Sequence, residues 1–234
     1  MLTPSSNTAL EPITSAMVAG LEQVSVHFSR FRVTEISLGA SALGQFDLPK
    51  ILEAAQLLAD AEVDVIAWNG TSAGWLGFET DEALCRQITE TTGIPATTSV
   101  LALNEILTRN RVTELGLVTP YLDDVQQRII ANYARLGIRC TAERHLNLSK
   151  NFEFSEVSEQ TLERLVKDVA QARPQAITTF CTNLYAAPLA GTLEAQTGIP
   201  LYDTISTVLW KSMQLAGIDT RELRGWGQLF SQGE

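Results

Sequence analysis

Short β-branched runs alternate with longer amphipathic stretches along this chain. Val63-Asp64-Val65-Ile66-Ala67-Trp68 predicts a strand, as do residues 113–119 and 176–180. Residues 48–60 predict a helix, because Ile51, Leu52, Ala55, Leu58 and Ala59 fall on neighbouring rows. Residues 122–136 predict a second helix, opened by Asp123 and Asp124 where the positive end of the helix favours acids. Residues 155–172 predict a third, with Ser155 as its cap and Glu156 and Glu159 close behind. Gly137 and Gly198 stand where left-handed residues end helices. Strand–helix alternation of this kind means an α/β protein with parallel sheets.

The pattern also repeats. Thr92-Gly93-Ile94-Pro95 recurs as Thr197-Gly198-Ile199-Pro200, each after a predicted helix. Upstream, a strand runs into a small polar turn in both halves: Asn69-Gly70-Thr71-Ser72 in one, Phe180-Cys181-Thr182-Asn183 in the other. Leu2-Thr3-Pro4-Ser5 and Val118-Thr119-Pro120-Tyr121 form a second pair in the same order. The expected fold is therefore two similar Rossmann-like α/β lobes, residues 1–115 and 116–234, related by a pseudo-two-fold. The active site is expected in the cleft between them, with the C-terminal tail free to pack back on the first lobe. Only three residues precede the Pro4 turn, so either the first strand is a short one or the native chain starts further upstream.

Composition removes several classes of function. Hydrophobic residues are 45% and charged residues 19% of the 234, enough apolar content for a folded core. Seventeen basic against 27 acidic side chains give a net charge of −10, which argues against nucleic acid and anionic membranes as partners. Acids interrupt every apolar stretch before it reaches spanning length. The first basic side chain is Arg30, so no signal-peptide n-region is read. Three widely spaced cysteines (Cys85, Cys140, Cys181) without a CxxC argue against a disulfide framework or a zinc site and fit a reduced cytoplasm. No cofactor and no metal is expected.

The chemistry is expected at the turns that follow the strands. Residues 4–7, 69–72, 119–121 and 181–183 are rich in Ser, Thr and Asn. Each residue there reads either as a helix cap or as part of a pocket whose backbone N–H groups bind an anion without Lys or Arg. An anionic small molecule suits such a pocket. Cys181 is the sharpest of these residues. It ends a buried-type strand, where a helix N-terminus lowers a thiol pKa, or else it is a structural cysteine. Cys85 and Cys140 read as structural. Trp75, Leu76 and Phe78 read equally as an apolar wall or as ordinary core.

These residues carry a resemblance. Thr3-Pro4-Ser5-Ser6-Asn7-Thr8 with Glu11, Thr119-Pro120-Tyr121-Leu122-Asp123-Asp124-Val125 and Cys181-Thr182-Asn183-Leu184 resemble motifs of the aspartate/glutamate racemase superfamily. The similarity lies in the branch of maleate cis-trans isomerase and arylmalonate decarboxylase, and it runs over nearly the whole chain. It implies that Asn7 binds a substrate carboxylate, that Tyr121 contacts the substrate, and that Cys181 is the second-lobe catalytic cysteine. Racemases and isomerases of this type carry a cysteine in each lobe, whereas here Gly70 stands opposite Cys181. Gly70-Thr71-Ser72 and a single cysteine resemble arylmalonate decarboxylase. Thr182-Asn183 after the cysteine resembles the isomerases instead.

The resemblance thus implies a cofactor-independent decarboxylase of an α-substituted malonate. Cys181, Thr71, Ser72 and Tyr121 are the expected catalytic residues, and Asn7, Gly70, Thr119, Thr182 and Asn183 the expected substrate-binding residues. Maleate isomerisation or racemisation of an amino acid or hydantoin, a carboxylate-binding protein without catalysis, and a homo-oligomer all stay open.

Overall fold

The computed structural model describes residues 1–231. Its first sheet is built from β1 (Leu2–Pro4), β2 (Ser29–Phe31), β3 (Ile66–Trp68) and β4 (Ala96–Thr98). The second is built from β5 (Glu114–Thr119), β6 (Arg139–His145), β7 (Ala176–Thr179) and β8 (Leu201–Asp203). The strand orders are β2-β1-β3-β4 and β6-β5-β7-β8, and every pairing is parallel. The two halves therefore repeat one topology, as the tetrapeptide repeat predicts.

Helices cover both sheets. In the first half they are α1 (Leu10–Val18), α2 (Ala40–Leu43), α3 (Leu48–Ala59), α4 (Ala73–Leu76), α5 (Phe78–Thr92) and α6 (Ser99–Arg109). In the second they are α7 (Asp123–Arg135), α8 (Asn151–Phe154), α9 (Glu159–Ala170), α10 (Ala190–Thr197) and α11 (Thr204–Leu215). Among the described residues, no helix is long and apolar enough to cross a membrane. The amphipathic spacing over 48–60 becomes α3, whose Ile51, Ala54, Ala55 and Leu58 are buried. Gly198 takes φ +71° at the end of α10, a left-handed cap that a side chain would strain.

The halves meet along α6 and α11, the helices that follow the last strand of each sheet. Thr98 caps α6 by accepting from the Leu101 N–H, and Asp203 caps α11 by accepting from Ile205 and Ser206. The Thr207 hydroxyl of α11 donates to the Ser99 carbonyl of α6 at 3.0 Å.

One prediction needs correction. Ser155 caps no long helix. Residues 151–154 form the single turn α8, and the long helix starts at Glu159, where Ser158 accepts from the Thr161 N–H at 3.2 Å. Asn151 is held by both halves of the molecule, and the expected helix begins four residues later than predicted, at Glu159 rather than Ser155.

Asp81 of α5 is a buried acid in the first half. Burial pushes its carboxyl up to about 7, against the hydrogen bond from Thr98, and one of its oxygens has no partner. Between the ordinary value near 3.8 and about 7, the folded state holds a proton that the unfolded state has released. Stability therefore falls as pH rises through that window and stays lower above it. Asp81→Asn keeps the shape without the charge. It is expected to raise the unfolding free energy at about pH 8 by on the order of a few kcal/mol, and Tm with it, and to change little near pH 4. Equal shifts at both pH values in thermal melts count against this account.

Candidate active site

The carboxyl ends of β1, β3, β5 and β7 face one another across a small cavity. Its lining includes Pro4, Trp68, Gly70, Thr71 and Ser72 from the first half and Tyr121, Cys181 and Thr182 from the second. The cavity measures about 20 Å³, room for roughly one water. Among its lining residues none is charged.

Cys181 lies at the centre of a hydrogen-bonded chain. The Tyr121 hydroxyl is 2.6 Å from the Thr71 hydroxyl and bonds the Cys181 thiol on its other side. The Asn183 backbone N–H donates to Sγ at 3.4 Å. All four residues are buried. The Tyr121 ring is held edge-on between Trp75 and Phe154, with centroids at 5.3 and 5.6 Å. The hydroxyl is thereby fixed in place rather than free to rotate away.

The sequence expectation for the thiol is corrected in direction. No helix begins directly after Cys181; the chain makes turns until a 3₁₀ segment at Ala187–Leu189. No helix N-terminus stands at the sulfur. Burial instead pushes the thiol up to about 12, with smaller opposing contributions from the Tyr121 and Asn183 hydrogen bonds. The Asp203 carboxylate raises it further. Cys181 is thus held protonated at neutral pH. Tyr121 is also pushed well above its ordinary value by burial and by the neighbouring sulfur.

The predicted residues separate into two groups. Thr71, Ser72, Tyr121, Cys181, Thr182 and Gly70 line the cavity together. Ser72 is the residue before α4, yet its hydroxyl makes no capping bond, so the cap reading is not realised there.

Asn7, Asn183 and Thr119 lie outside that lining. The Asn7 carboxamide donates to the Thr182 carbonyl at 2.9 Å and caps the Ala9 and Leu10 N–H groups. Asn183 accepts from Thr8 and Ala9 and donates to the Asn151 carbonyl. The Thr182 hydroxyl donates to the Asn69 carbonyl at 3.0 Å. These groups clasp the two halves around the cavity. The Thr119 hydroxyl donates to Gln126 at 2.7 Å.

Several lining residues carry no signal in the sequence. Val33, Ile36 and Phe46 come from the segment between β2 and α3, and Asn151 from the start of α8. They are brought together by main-chain bonds: Asn151 N–H to Thr34, Ile36 N–H to Ser149, and an antiparallel bridge of Glu35 with Lys150. This small ladder sets Val33, Ile36 and Asn151 against the cavity. Of the expected apolar wall, Trp75 lines the cavity. Leu76 lines an adjoining groove, and Phe78 packs on Tyr133 with centroids 5.1 Å apart. Asp203 was also missed, although the repeat places it at the position of Thr98.

Two like parallel sheets that turn the ends of their strands toward one thiol-bearing cavity place the chain in the class of two-lobed parallel α/β proteins. Within it, the arylmalonate decarboxylase family model matches residues 47–230, and the chain belongs to that family. The arylmalonate decarboxylase of Bordetella bronchiseptica is 26% identical over 207 residues, 86% of each chain. Maleate isomerase from Pseudomonas putida superposes with a TM-score of 0.89 at 23% identity, over 98% of this chain and 96% of that one. Unliganded arylmalonate decarboxylase superposes with a TM-score of 0.80 at 23% identity, over 99% and 97%. The two superpositions establish a shared fold.

Proposed function

We propose that this protein is a cofactor-independent decarboxylase of α-substituted malonates, in which Cys181 protonates an enediolate on one face. The observation that carries the reading is the buried chain Thr71–Tyr121–Cys181, with a thiol held protonated and Gly70 where a second thiol would stand. Loss of CO₂ leaves its electron pair on the α-carbon, delocalised into the remaining carboxylate. Such a reaction needs donors for the developing negative charge and one acid for the carbon. Ser72, Thr71, Tyr121 and Thr182 supply hydroxyls along the lining, and Cys181 supplies the proton.

The departing carboxylate faces Pro4, Val33, Ile36, Phe46 and Trp75. A carboxylate there is poorly solvated, and its loss as neutral CO₂ relieves that cost. The Asn7 and Asn183 carboxamides hold the halves in register, and they reach a substrate carboxylate only if the clasp opens. A malonate is larger than this cavity, so its walls, among them the segments joined by the ladder between residues 34–36 and 149–151, must move to admit it.

The test is proton NMR in deuterated buffer with phenylmalonate, methylmalonate, maleate, aspartate, glutamate and a hydantoin. The expected result is CO₂ loss from a substituted malonate, with one deuterium placed on one face of the product. Conversion of maleate to fumarate, or deuterium washing into an amino acid, favours the isomerase or racemase reading instead.

A further inference from the structure

We propose that the indole of Trp68 confines protonation to one face, by filling the space that a second proton-transfer group opposite Cys181 would need. The proposal rests on the decarboxylase reading above. Strand register supplies its first support. Trp68 pairs with Thr98 in the first sheet, and Thr179 pairs with Asp203 in the second. The tetrapeptide repeat sets Thr98 against Asp203, so Trp68 corresponds to Thr179 and Gly70 to Cys181.

The two members of that pair differ in what they leave free. The short Thr179 side chain donates to Asp203 at 2.7 Å, leaving room for the Cys181 side chain beyond it. In the first half, a Cβ added at Gly70 would lie 2.0 Å from Cζ2 and 2.3 Å from Cε2 of the Trp68 indole. Gly70 is not among the positive-φ glycines, so its backbone conformation does not demand glycine. The indole does. Trp68 is fully buried, packs against Phe31 with centroids 5.0 Å apart, and lines the catalytic cavity on one side. On its other side it borders an apolar groove of about 300 Å³ beside α3 and α5.

The consequence is chemical. Exchange of the product's α-hydrogen through both faces needs a thiolate on one side to take the proton. The C–H electron pair then passes into the enediolate, and a thiol on the other side gives up its own proton to the carbon. One thiol and one thiolate trade places, and nothing is oxidised. With the indole over Gly70, only the Cys181 half of this exchange exists.

The test is a double-mutant cycle of Gly70→Cys and Trp68→Leu, read by Tm and by deuterium exchange into each enantiomer of the decarboxylation product. Gly70→Cys alone is expected to lower Tm sharply and to show no exchange. The double variant is expected to recover part of that loss and to exchange both enantiomers at least about 100-fold above Gly70→Cys. If Gly70→Cys does not express, Gly70→Ala adds the Cβ alone and runs the same Tm cycle. Additive Tm losses, exchange by Gly70→Cys with Trp68 in place, or a decarboxylating double variant without exchange each overturn the proposal. If the wild type decarboxylates no malonate, the functional reading fails, and the Tm cycle alone judges the role of the indole.

Discussion

Cys181→Ala is expected to lower kcat for the malonate that the wild type decarboxylates by about 10³-fold, the scale of a lost general acid. The fold is expected to survive, because alanine fits where the cysteine side chain sits and its neighbours Phe180 and Leu184 stay packed. The stereochemical outcome is the sharper signature. Residual turnover in the alanine variant leaves protonation to water, so the product should lose its enantiomeric purity. Serine at this position is a much weaker acid and is expected to restore little. A Cys181→Ala enzyme with full activity and an enantiopure product excludes this mechanism.

The pH dependence follows from the same burial. The thiol is pushed up to about 12, so it remains an acid through the neutral range. Between about pH 6 and pH 9, ionisation of Cys181 is expected to leave kcat/KM unchanged. A mechanism that uses the thiolate as a nucleophile predicts the reverse, about a tenfold rise for each pH unit below the thiol pKa.

Tyr121→Phe is the second large expected effect, a loss of about 10² to 10³ in kcat, or roughly 3–4 kcal/mol. The hydroxyl bonds Thr71 and Cys181 together, so its removal leaves a buried Thr71 hydroxyl without its partner and the thiol without its orienting bond. The phenylalanine ring still packs between Trp75 and Phe154, which protects the fold. Groups that act as one chain are not additive. Thr71→Val added to Tyr121→Phe should therefore cost much less than Thr71→Val in the wild type. Steady-state kinetics on the four proteins decide this, and additive losses mean that the two hydroxyls act independently.

The cavity was only partly legible in the chain. Cys181, Tyr121, Thr71 and Ser72 follow strand ends, and in a parallel sheet strand ends converge, so their positions announce them. Val33, Ile36 and Phe46 lie in irregular segments and Asn151 in the single turn α8, and no periodicity marks them. They reach the cavity because main-chain bonds join residues 34–36 to residues 149–151. The polar residues Asn7 and Asn183 look like ligands for an anion in the sequence. In space each carboxamide is already occupied, at one end by the opposite half of the molecule and at the other by its own.

By itself, the sequence determined the alternation of strands and helices, the internal repeat and the parallel α/β class. It also showed that only one half carries a cysteine at the strand end. These are matters of spacing and residue type, and backbone geometry converts spacing into elements directly. The tertiary structure alone decided the state of the thiol, the small size of the cavity and the indole over Gly70. Each of these depends on which distant groups exclude water or occupy space at one point. Desolvation and close packing arise from residues far apart in the chain, and they take effect only once the fold has brought those residues together.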